Sequence, residues 1–154
     1  MMSPEEAEEQ DREIRERCIF SLRILIIHPD MDPSILTKAL AITPNLTKTA
    51  GQPRRTGAGR RLPGRYPDSI WSYWEEHGRE SNFEPRLGAL VDRLAPASDF
   101  LRTFLPTCSY AAICIALPGD VHSGTDINCD TLGKMLNLGF VLGIEVFPKW
   151  NREA

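Results

Sequence analysis

Nowhere in these 154 residues is there an apolar run near the roughly 20 needed to cross a bilayer, so no membrane span is expected. The cysteines lack any C-x-x-C pair: Cys18, Cys108, Cys114 and Cys129 are scattered, which fits neither a disulfide framework nor a zinc knuckle. Cys18 and Cys114 sit inside apolar runs, where a thiol behaves as a small buried hydrophobe. Neither sign of charge dominates, and a net charge of -3 gives no global pull toward nucleic acid or anionic membrane. Also missing are a P-loop, a dinucleotide fingerprint and a G-x-S-x-G elbow, so phosphate cradling and serine hydrolysis lose their usual signatures. The opening "MMSPEEAEEQDREIRER" has no apolar core, so it does not read as a secretory signal and cytoplasm is the expected location. No cofactor and no metal site are expected.

What remains is the composition of one soluble globular domain, 42% apolar and 25% charged, long enough to bury a core without staples. Residues 1–16 hold seven acids and two arginines and read as a solvated helix or tail, since they cannot bury enough to offset their ordering entropy. Residues 17–149 form the domain, with a basic Gly/Pro-rich loop at 47–68, and residues 150–154 are a tail.

Within the domain, "CIFSLRILII" alternates, placing Cys18, Phe20, Leu22, Ile24 and Ile26 on one face and Ser21 and Arg23 on the other. That is a strand covered mainly on one side. Asp32 can cap a helix whose first residue is Pro33, giving a helix over 33–41 with an Ile35, Leu36, Ala39, Leu40 stripe that Pro44 stops. "SIWSYWEEH" alternates as Ile70, Ser72, Trp74 against Trp71, Tyr73, Glu75, which favours a strand. Leu87, Leu90, Val91, Leu94, Leu101, Phe104 and Leu105 recur at helical spacing, so Glu84 to Leu105 is an amphipathic helix bent or broken at Pro96. "YAAICIALPG" is a buried strand. A short helix capped by Asn128 or Asp130 runs to Asn137, Gly139 ends it, and "FVLGIEVF" is a last strand. The order implies an α+β fold, a mostly antiparallel sheet with helices packed on one face in two layers.

"LRILI…HPDMDPSILTKALAITPN", "AGQP", "SIWSYW", "LVDRLAP" and "LGKMLNLGFVLGIEVF" together resemble the bacterial family called domain of unknown function 4279, over roughly residues 18–147. The resemblance implies this fold and, by the family's name, brings no activity. Asn45 stands where that family tends to have threonine and Ala50 where it tends to have lysine, and "RRTGAGRRLPGRYPD" is a longer insertion.

Three groups of residues are candidates for function. Arg54, Arg55, Arg60, Arg61 and Arg65, with Lys48, could neutralise phosphates or carboxylates, with Trp71, Tyr73 or Trp74 as stacking faces. The bland reading is a solvated flexible insertion, and the G-A-G within it lacks a preceding strand and a following helix. The two tryptophans either take opposite faces, one core and one surface, or both pack under the long helix. Asp120, His122, Ser123 and Asp126 form the best ligand-facing loop, although sharing one loop does not suit a nucleophilic triad. His28 with Asp30 and Asp32 could bind a metal or act as an acid–base pair, but Asp32 already has a capping role. The residues favour a small non-catalytic domain that binds a protein partner or self-associates, in the manner of an immunity or adaptor protein. The alternative is a nucleic-acid or anion binder using residues 54–65. A hydrolytic or metal-dependent enzyme has the fewest grounds.

Overall fold

Alternation in "CIFSLRILIIH" becomes the first strand, β1 (Cys18–His28), of a computed structural model that describes residues 18–78, 83–118 and 126–147. Phe20, Leu22, Ile24 and Ile26 are buried, while Ser21, Arg23 and Leu25 on the opposite face are half-buried. Helix α1 (Pro33–Leu40) begins as expected: Asp32 accepts a 2.9 Å hydrogen bond from the Ser34 amide and Pro33 occupies the first turn. It ends at Leu40 with Ala41 in the left-handed region, three residues before Pro44. Leu36 and Leu40 are buried, but Ile35 points to solvent.

Two short strands, β3 (Pro53–Arg55) and β4 (Arg61–Arg65), follow β2 (Leu46–Lys48), and β5 (Ser69–Gly78) comes next. The long amphipathic segment then breaks where proline removes a hydrogen bond. Helix α2 (Phe83–Leu94) passes through a 3-10 turn at Ala95–Ala97 into α3 (Ser98–Phe104) and a second turn at Leu105–Thr107. Strand β6 (Tyr110–Pro118), helix α4 (Cys129–Leu138) and strand β7 (Val141–Phe147) complete the described chain. Asn128 is the cap of α4, accepting from the Thr131 amide at 2.8 Å. Gly139 closes it at φ 86°, a conformation a side chain would strain.

The five main strands form one sheet in the order β2-β5-β1-β6-β7, and β3-β4 form a separate two-stranded ribbon. All pairs are antiparallel except β6 with β7, which run parallel and are joined by α4 as a crossover. The helices lie on one face of the sheet. The core therefore joins the inward faces of β1, β5 and β6 (Ile24, Ile26, Trp71, Ile113, Ile115) to α1, α2, α3 and α4. Of Leu87, Leu90, Val91, Leu94, Leu101, Phe104 and Leu105, the seven apolar residues recurring at helical spacing, six are buried and Phe104 is half-buried. At about 1.5–3 kcal/mol per fully buried large side chain, this segment supplies a large share of the stabilisation. No helix among the described residues is long and apolar enough to cross a membrane.

Candidate functional site

The stretch read as a loop at 47–68 is corrected by the structure. It contains β2 and the β3-β4 ribbon, in which Arg55 pairs directly with Arg61 and Pro53 with Arg65. A strand therefore does precede Gly57-Ala58-Gly59, and a second strand, not a helix, follows. The turn closes through Thr56: its amide donates to the Arg60 carbonyl at 2.8 Å, and its hydroxyl accepts from the Arg60 amide at 3.0 Å. At the base, the Gly51 amide donates to the Tyr66 carbonyl at 2.9 Å and the Tyr66 amide to the Gln52 carbonyl at 3.0 Å. Tyr66 also bonds Arg55 across the ribbon, its hydroxyl accepting from the Arg55 amide at 3.0 Å. Polar residues without hydrophobic alternation form a ribbon because its own hydrogen bonds close it at both ends.

Arg54, Arg55, Arg60, Arg61 and Arg65 are all exposed. Two donate to the ribbon backbone: Arg55 to the Gly59 carbonyl at 3.0 Å and Arg65 to the Gly51 carbonyl at 2.6 Å. None of the five has a carboxylate partner among the described residues. Lys48 adds a sixth cation and lies 5.3 Å from the Tyr66 ring centroid. Arg55 and Arg61 stand directly opposite each other, and like charges so opposed on a ribbon repel.

The tryptophans separate by face. Trp71 is fully buried beneath α1, its indole N–H donating to the Thr37 hydroxyl at 3.1 Å. Trp74 lies on the helix-free face, with the Arg23 guanidinium 6.0 Å from its ring centroid. The reading that packs both under the long helix therefore fails for Trp74. Neither ring is a bare stacking platform beside the ribbon. Tyr73 is likewise occupied, with Arg93 5.5 Å from its ring.

The loop of Asp120, His122, Ser123 and Asp126 falls largely outside the described residues; only Asp126 is within them, exposed and ahead of α4. His28 has a structural task. Its Nδ1 accepts from the amides of Asp30 at 3.1 Å and Met31 at 3.0 Å, so the proton sits on Nε2, which faces the Thr107 hydroxyl at 3.2 Å. Asp30 Oδ1 also lies 3.2 Å from Nδ1, but a nitrogen that receives two amide protons cannot also donate to it. Asp32 is the helix cap, and the Ser34 amide holds its carboxyl below the ordinary range. Cys114 is buried on the helix-free face; burial, then the nearby Glu145 carboxylate, pushes its thiol up.

One constellation was missed in the sequence. Tyr73, Glu75 and His77 follow one another along the inner face of β5. Glu75 accepts from the Tyr73 hydroxyl at 2.9 Å and lies 3.1 Å from His77 Nε2, while Arg93 donates to the Tyr73 hydroxyl at 3.3 Å. The imidazole stacks on Phe20, with ring centroids 5.0 Å apart. Burial, then the bond to Glu75, raises the Tyr73 phenol, and Arg93 partly offsets both. Extending the Trp71, Tyr73, Glu75 alternation by one step would have found His77. The network satisfies polar groups where the sheet meets α2, joining strand to helix beside the Phe20–Phe83 contact.

With this geometry in hand, the family described as Domain of unknown function (DUF4279) matches residues 16–147. The chain belongs to that family. Its match spans every described strand and helix, the arginine ribbon included, so the ribbon stands inside the family's domain. No curated protein and no solved structure matches the chain.

Proposed function

We propose that this DUF4279 domain is a non-catalytic binding domain that engages an acidic segment of a protein partner through the arginine ribbon. The observation behind the reading is that five exposed arginines without a carboxylate partner among the described residues stand on a ribbon closed at both ends. A backbone that is already closed, with Arg55 and Arg65 tethered to it, reduces the ordering cost on binding. Guanidinium groups match carboxylates in a bidentate geometry that lysines do not offer. Carboxylates are favoured over nucleic acid because the aromatics nearest in sequence are engaged elsewhere: Trp71 is buried, and Tyr73 and Trp74 each have an arginine beside the ring, Arg93 at 5.5 Å and Arg23 at 6.0 Å. The free thiols of Cys108, Cys114 and Cys129 suit a reducing, cytoplasmic setting.

A labelled oligoglutamate peptide and a labelled DNA duplex, each titrated with the protein over a range of salt, test this reading. The peptide should bind at low salt and lose affinity as salt rises. A duplex that binds more tightly, with a log–log salt slope near about -0.9 per phosphate neutralised, would move the assignment to nucleic acid. No binding of either probe would remove the ribbon from the account.

A further inference from the structure

The two edges of the main sheet are unlike. The β2 edge is three residues long and includes Lys48, the kind of short, charged edge that resists strand pairing. The β7 edge is seven residues, "VLGIEVF", with no lysine or proline, and no described element pairs with its outer side. Val141 is 56% exposed, Ile144 64% and Val146 59%, so three apolar side chains of this strand are uncovered as well as its backbone, while Leu142 is half-buried against the core. On β6 the inward residue in register with Ile144, Ile115, is buried.

We infer that β7 is a homodimerisation edge, pairing antiparallel with β7 of a second copy about a two-fold axis at Ile144. The occupant follows from the pattern, which is symmetric about that residue: two apolar positions, one small or charged, Ile144, one charged or small, two apolar. Antiparallel pairing about Ile144 sets Leu142 against Val146 of the second copy and Glu145 against its Gly143. The only charge in each strand then faces the only position without a Cβ. That position favours glycine for an internal reason, since a Cβ on Gly143 would lie 2.9 Å from Cys114 Sγ. Arg23, Cys114 and Gly143 are in register across β1, β6 and β7. Glu145 of the second copy extends that row, three strand spacings or about 14 Å from Arg23, with opposite sign. An axis at Glu145 would instead set two carboxylates face to face, which opposes pairing. The chain thus favours its own copy in one register.

Such a dimer joins two five-stranded sheets into one and leaves both β2 edges, which the arginine ribbons adjoin in sequence, at its outer ends. The ribbons would then act as a bivalent pair, raising avidity for a partner with two acidic segments.

Sedimentation equilibrium of the full chain at micromolar concentration tests this directly. The wild type should sediment at twice the 17.3 kDa chain mass. Ile144→Lys places two like charges on the axis and should return the mass to one chain, with an unchanged far-UV spectrum because the position is exposed. Ile144→Cys should form a covalent dimer on mild oxidation that the wild type, with its own cysteines, does not. The axis sets the two Cα atoms about 4.5–5.5 Å apart, within disulfide reach. A wild type at one chain mass, an I144K variant that stays dimeric, or an I144C variant that fails to cross-link would each overturn the inference.

Discussion

Alanine in place of Gly143 adds one methyl group at a position where the added carbon would lie 2.9 Å from Cys114 Sγ, with the next nearest atoms at 3.6 and 3.7 Å. Only the sulfur is in the way. Gly143 does not have a positive φ, so alanine brings no backbone strain and would ordinarily stabilise by about 0.4–1 kcal/mol through the unfolded chain. Against that stands overpacking of a buried thiol pressed between strands, typically about 1–3 kcal/mol. The net expectation for Gly143→Ala is a loss of about 1–2 kcal/mol, or a fall in Tm of roughly 2–8 °C for a domain this size. Cys114→Ala removes the obstructing atom, so Gly143→Ala made on that background should be neutral or stabilising. The change of sign is the signature. Urea denaturation of the four proteins of this cycle, all carrying Ile144→Lys to exclude self-association, measures it. A Gly143→Ala variant as stable as its parent, or effects that simply add, would refute the close contact between β6 and β7.

Two further outcomes follow from other elements. Thr37→Val keeps the shape but removes the acceptor of the buried Trp71 indole N–H, and should cost about 1–3 kcal/mol by denaturant titration. Asp32→Ala should lower Tm at neutral pH, and Asp32→Asn, which keeps an acceptor but loses the charge, should lower it less. The folded Asp32 carboxyl lies below its ordinary value of 3.8 because the Ser34 amide bonds the charged form. Its contribution is therefore complete above that value and lost as the pH falls through the folded pKa. Melting curves of wild type and Asp32→Asn should converge in acid, and a gap that persists there would contradict the charge-assisted cap.

Elements whose hydrophobic period is strong were legible from the chain alone. Alternation marked β1, Asp32 and Pro33 marked the start of α1, and Pro96 marked the break between α2 and α3. These features depend on a few neighbouring residues. The arginine ribbon was not legible, because its strands bury nothing and so have no apolar alternation; backbone bonds and the Thr56 turn define it. The parallel pairing of β6 with β7 was also hidden, since strand order depends on contacts far apart in sequence. At the site, five arginines could be named, yet their lack of a carboxylate partner among the described residues and the cations beside Tyr73 and Trp74 required coordinates. The Glu75–His77 network was half visible: the alternation pointed to it, but Phe20 and Arg93 meet it from distant segments.

The claim that the ribbon is the binding element is tested most directly by the fluorescence anisotropy of a labelled oligoglutamate peptide. The comparison is between wild type and the Arg55→Glu/Arg61→Glu variant at low salt. Each reversal replaces an attraction with a repulsion worth about 1 kcal/mol at an exposed site, so affinity should fall tenfold or more. The far-UV spectrum should be unchanged, because both side chains are exposed. Equal affinity in the two proteins would contradict the account.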